Sequence, residues 1–104
     1  MTLHNKAIRD KIPEIIEKSG LKFNVKKLSD KDFLEEMEKK LDEEVSEYHE
    51  SKSVEEIADI IEVIERIAEL RGTSVKELMK IKDGKSEKRG KFGKNFFLIE
   101  TNDS

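Results

Sequence analysis

Apolar residues recur at helical spacing through much of the chain, and the places where that rhythm starts and stops divide it into four helices. The first is short: Pro13 suits a first helical turn and Gly20 a position just past the end, so Ile12 to Ser19 is expected to be helical. Ser29 with Asp32 three residues on opens a second helix reaching to about Glu50, with an apolar stripe of Phe33, Leu34, Met37, Leu41, Val45 and Tyr48. Ser51-Lys52-Ser53 makes a tight turn. The third helix, Val54 to about Leu70, is apolar almost all round, its polar strip confined to Glu55, Asp59, Glu62, Arg66 and Glu69, which makes it the central element. After Arg71-Gly72-Thr73, Ser74 and Glu77 cap a fourth helix through Val75, Leu78 and Met79 that can run on to Lys88, weakened by Gly84. Two stretches break the helical period. Phe23 to Leu28 and Asn95 to Glu100 read as strands, natural partners for one another, and the last residues, Thr101 to Ser104, are expected to fray. The predicted fold is mainly α: one domain over residues 1–104, a four-helix bundle with a small two-stranded β ribbon.

Two carboxylates violate this pattern. Glu44 falls inside the apolar arc of the second helix, between Phe33 and Met37 in projection, and Glu56 heads the line Glu56, Ile60, Val63, Ile67 on the third. A carboxylate on a core stripe costs several kcal/mol, in order of magnitude, unless it is paired, protonated or bound to a cation. Each has a neighbour one turn away, in Glu43-Glu44-x-x-Glu47 and Glu56-x-x-Asp59. The pairs are mirror images about the turn, so an antiparallel hairpin sets Glu44 level with Asp59 and Glu47 level with Glu56. The two levels lie ~4.5 Å apart in helix rise, a spread over which four carboxylates can converge on a hard divalent cation. Glu56 also has a purely local explanation as the capping partner of Ser53, and Glu43, Glu55, Glu62 and Glu69 fit a solvated surface.

Composition narrows the chemistry. The chain has no cysteine, which removes disulfides and thiolate ligands, and it has no apolar run of membrane-spanning length; a cytoplasmic protein is expected. Charged residues are 43% of the total and the net charge is −3, but their distribution is uneven. Residues 1 to 29 carry seven basic and three acidic groups, 30 to 70 five and sixteen, and 71 to 94 nine and three. An acidic centre between basic ends suits a metal in the middle and an anionic ligand held from the sides. Lys6, Arg9 and Lys11 before the first helix, and Lys85, Lys88, Arg89 and Lys91 at the end of the fourth, are either solubilising surface or phosphate contacts, with Gly90 and Gly93 allowing close backbone approach. An all-carboxylate set favours Mg²⁺, with Mn²⁺ as an alternative, and these ions commonly act on phosphates. Phosphate-binding loops of the Walker type and Gly-x-Gly-x-x-Gly sequences are absent.

Glu43-Glu44-x-x-Glu47 followed by Glu56-x-x-Asp59 resembles the signature of the MazG-like all-α nucleoside triphosphate pyrophosphohydrolases, a superfamily that includes phosphoribosyl-ATP pyrophosphohydrolase. The opening Asn5-Lys6-Ala7-Ile8-Arg9-Asp10-Lys11-Ile12-Pro13 and the tail Lys88-Arg89-Gly90-Lys91-Phe92 are similar to the ends of its small house-cleaning branch. Two departures are visible: eight residues separate Glu47 from Glu56, fewer than in larger members, and Lys91 stands where the branch has a second glycine. The resemblance implies that Glu44, Glu47, Glu56 and Asp59 ligate Mg²⁺, that Glu43 assists as a base, and that Lys6, Arg9, Lys11, Lys88 and Arg89 hold the phosphate chain. It also implies hydrolysis of non-standard nucleoside triphosphates to monophosphate and pyrophosphate. The apolar girth of the third helix adds the expectation of a homodimer or higher homo-oligomer. The alternatives are phosphoribosyl-ATP hydrolysis and a catalytically idle helical module that binds nucleic acid or protein. Nucleic-acid binding is disfavoured, because only Phe92, Phe96 and Phe97 offer aromatics near the basic groups.

Overall fold

The computed structural model describes residues 1–103, so the expectation for Ser104 lies outside the described residues. Four helices follow in order: α1 (Ile12–Lys18), α2 (Asp30–Ser51), α3 (Val54–Leu70) and α4 (Val75–Arg89). The start of each long helix is set as the sequence predicts. The side chains of Ser29, Ser53 and Ser74 accept hydrogen bonds from the backbone N–H groups of Asp32, Glu56 and Glu77, at 3.2, 3.3 and 3.1 Å. Between α2 and α3 only Lys52 and Ser53 intervene, with Lys52 in the left-handed region (φ 55°) and its N–H returned to the Tyr48 carbonyl at 2.7 Å. So short a connection forces α3 back along α2 as an antiparallel neighbour. Gly84 leaves α4 intact to Arg89, the cost of one glycine being small against a capped helix.

The core is small and belongs to the hairpin. Met37 from α2 and Val63 from α3 are buried together with Ala7 from the N-terminal arm, and Phe33, Leu41, Ile67 and Leu70 pack around them. Arg71, just past α3, reaches Glu38 of α2 at 2.9 Å and ties the open end of the hairpin. Beyond α2 and α3 the packing thins: α4 packs on α3 alone, and α1 packs on no other helix. The radius of gyration is 18.7 Å and the longest extent 68 Å, against the ~13 Å radius of a compact chain of about 100 residues.

The two-stranded ribbon is not formed. Among the described residues there is no strand: Phe23 to Leu28 and Asn95 to Glu100 are irregular, and Phe23, Val25 and Phe96 to Ile99 are exposed. A lone pair of strands is marginal in water without a third strand or a helix face beneath it, and neither segment has such support here. The alternating Phe23 and Val25 and the apolar run Phe96 to Ile99 therefore mark surface that this chain leaves uncovered, not a ladder. Among the described residues no helix is long and apolar enough to cross a membrane.

Candidate metal centre

The hairpin register brings the off-pattern carboxylates together. Ligand oxygens of Glu44, Glu56 and Asp59 lie within 4.8 Å of one another, and so do those of Glu43, Glu44 and Glu47. Glu44 is common to both groups. It is also the buried member, 7% exposed, and its Oε2 is shielded from solvent with no hydrogen-bond partner, as is Glu56 Oε2. The level pairing of Glu44 with Asp59 is met. Glu47 is the fourth carboxylate, beside Glu44, and its charge bears on Glu56 across the hairpin.

The local explanation of Glu56 covers half of what a capping box requires. Its backbone N–H does bond the Ser53 hydroxyl, yet the Ser53 N–H goes to the Ser51 hydroxyl at 3.2 Å, not to the Glu56 carboxylate. The carboxylate is left free of the cap, and it pays for its position electrostatically. Its pKa is pushed from 4.5 up to about 7, first by loss of solvent, then by the adjoining Glu44 carboxyl, and then by the charges of Glu47, Glu44 and Asp59. The repulsion that remains on Glu56 is of the kind a divalent cation would relieve.

Two cations already face the cluster. Lys40, one turn before the acids on α2, lies 3.6 Å from Glu44 Oε1 and 3.8 Å from Glu43 Oε2. It escaped the sequence reading, although its i,i+3 and i,i+4 spacing to Glu43 and Glu44 carries the signal. Arg9 comes from outside the hairpin, its Nη2 2.7 Å from Asp59 Oδ1 and its Nη1 3.4 Å from Glu62 Oε1. The buried Ala7 pins the arm that delivers it, a contact nothing in the helical periodicity announces.

The remaining candidate phosphate contacts are spread out. Lys6 lines a cavity of about 310 Å³ with His4, Asn5, Lys39, Lys40 and Glu43, so the cavity opens beside the carboxylates. Lys11 is exposed at the start of α1. Lys88 and Arg89 end α4, and the turn from Arg89 to Phe96 encloses a second cavity of about 420 Å³ lined only by its own residues. The structure thus gathers the four carboxylates, Arg9 and Lys6 at the hairpin, while Lys88 and Arg89 enter no ion pair among the described residues. No family model, functionally described protein or solved structure matches this chain.

Proposed function

We propose that the protein is a Mg²⁺-dependent nucleoside triphosphate pyrophosphohydrolase of the MazG-like kind, cleaving between the α- and β-phosphates of non-standard nucleotides. The observation that carries this reading is Glu44: a carboxylate almost wholly buried, with an unpartnered oxygen, within 4.8 Å of ligand oxygens on Glu56 and Asp59 from the opposing helix. Lys40 compensates Glu44 on one oxygen only, and burying the other without a partner carries a desolvation cost that surface acids avoid. Glu44, Glu56 and Asp59, with Glu47 beside them, would hold the cation. Mg²⁺ bound there, or Mn²⁺ in its place, would supply charge neutralisation to the phosphates and Lewis acidity toward the attacking water.

The chain's own residues do the rest. Glu43, at the edge of the cluster and partly exposed, would accept a proton from water, with Lys40 tempering its charge. Lys6, in the adjoining cavity, holds an anionic group arriving next to the cation. Lys11, Lys88 and Arg89 contribute to the phosphate chain, and a second copy of the protein supplies cover for the apolar face of α3. The products are a nucleoside monophosphate and pyrophosphate. The test is pyrophosphate release from a panel of normal and damaged triphosphates, with phosphoribosyl-ATP included, at millimolar Mg²⁺. Turnover that Glu44→Gln abolishes supports the reading; a wild-type protein inert across the panel, or a Glu44→Gln variant as active as wild type, removes it.

A further inference from the structure

Among the described residues, Arg9 is the one cation that reaches the acidic cluster from outside the α2 and α3 hairpin. Its placement is built, not incidental. Ala7, two residues before it, is buried against Met37 and Val63, and on its other side the Ile12 N–H bonds the Arg9 carbonyl at 3.1 Å as the chain turns into α1. Between those anchors the guanidinium has two acids in reach, Asp59 at 2.7 Å and Glu62 at 3.4 Å. Asp59 belongs to the group whose oxygens converge with those of Glu44 and Glu56, whereas Glu62, one turn on, lies outside that group. The arginine is therefore bonded to a carboxylate that a cation at the cluster also needs.

We propose that Arg9 is an exchangeable counter-ion that couples cation binding to polyphosphate binding. Without a divalent cation it neutralises Asp59. When a cation takes Asp59, the guanidinium loses its nearer partner and is repelled by the new positive charge. It is then free, on an arm still held by Ala7, to take a phosphate oxygen of an anion bound at the same cation. The pair is open to solvent, with the Arg9 side chain 57% and the Asp59 side chain 40% exposed, so the exchange is cheap. This inference rests on the cation reading proposed above, and it assigns Arg9 opposite effects on the two ligands.

The experiment titrates Mn²⁺ into the full chain without nucleotide, following free Mn²⁺ by electron paramagnetic resonance. In parallel, an α,β-methylene nucleoside triphosphate is titrated at saturating Mg²⁺ by calorimetry. Arg9→Ala is expected to bind Mn²⁺ more tightly, on the order of two- to fivefold for an exposed ion pair. The same variant is expected to bind the triphosphate analogue several-fold more weakly, while Lys18→Ala changes neither. Wild-type Mn²⁺ binding with Arg9→Ala equal to or weaker than it would overturn the exchange and leave the metal centre standing. Absence of Mn²⁺ binding in both proteins would overturn the exchange and the metal centre together.

Discussion

Met37 and Phe97 are both large apolar side chains, yet one is 8% exposed and the other 88%. Met37 sits on α2 where the hairpin presents Val63 to it, so its burial is worth on the order of 1.5–3 kcal/mol and helps hold the register. Phe97 follows α4 in an irregular segment whose apolar side chains, Phe96 to Ile99, are all exposed. The difference runs through the whole molecule: the hairpin is a completed structure, and the segments around it are not. Even α3 is divided this way, with Val63 buried but Ile57, Ile61 and Ile64 between 39 and 49% exposed along a second stripe. The candidate site residues follow the same division. The carboxylates are on the completed side, where a two-residue turn fixes them, and the Lys88 and Arg89 turn is on the other.

The largest effect expected from breaking this comparison is at Glu44. Glu44→Gln or Glu56→Gln should lower Mg²⁺-dependent turnover by more than the ~10–100-fold that outer-shell partners of a metal usually cost. Thermal melting of either metal-free variant should be unchanged or higher, because a repelling charge has been removed. A variant that melts far lower would make these acids structural.

Next in size is the packing contrast itself. Met37→Ala should cost ~2–5 kcal/mol in chemical denaturation, as for other truncations in a core, and Phe97→Ala less than ~0.5 kcal/mol in a monomer. A large cost at Phe97 would mean that the tail is covered in solution. That outcome ties to the second stripe of α3: light scattering across a dilution series should find a homodimer, and Ile61→Glu should make it dissociate. A fully active monomer at micromolar concentration would exclude a partner copy from the site.

The proton at Glu56 gives a smaller and more diagnostic effect. Its pKa of about 7 lies above its ordinary 4.5, so between those values the folded protein binds more protons than the unfolded chain. Stability of the metal-free protein should therefore fall as pH rises from about 4.5 to about 7 and change no further from this group above that. Mg²⁺ should bind more tightly over the same rise, since it displaces the proton, and Glu56→Gln should flatten both profiles.

How much of this was legible in the sequence depends on whether the cause was local. The serine caps at 29, 53 and 74, the turn at Lys52 and the level pairing of Glu44 with Asp59 follow from spacing alone, and the structure has all of them. Glu44 announced itself by sitting where Phe33 and Met37 called for an apolar side chain. Ala7, by contrast, is a small residue in a non-helical arm, and only tertiary contact distinguishes it from any other alanine. The two strand segments failed for the converse reason. The alternation of Phe23 and Val25 and the apolar run Phe96 to Ile99 are real, but a ladder needs a partner that spacing within one segment cannot supply.

The finest expected effect separates the two sides of the molecule with a pair of equal mutations. Ser53→Ala and Ser74→Ala each remove a hydroxyl that accepts one N–H at a helix start, and each should cost ~1 kcal/mol of stability. Ser53, however, bonds the backbone of Glu56 itself, so its loss loosens the first turn from which a candidate ligand projects. Ser74 caps α4, whose side chains take no part in the carboxylate cluster. Ser53→Ala should therefore weaken Mn²⁺ binding several-fold beyond what its stability loss explains, while Ser74→Ala should leave it unchanged. Equal Mn²⁺ affinities in the two variants would show that the Glu56 carboxylate is positioned by the packing of α2 against α3, with the turn contributing nothing to the site.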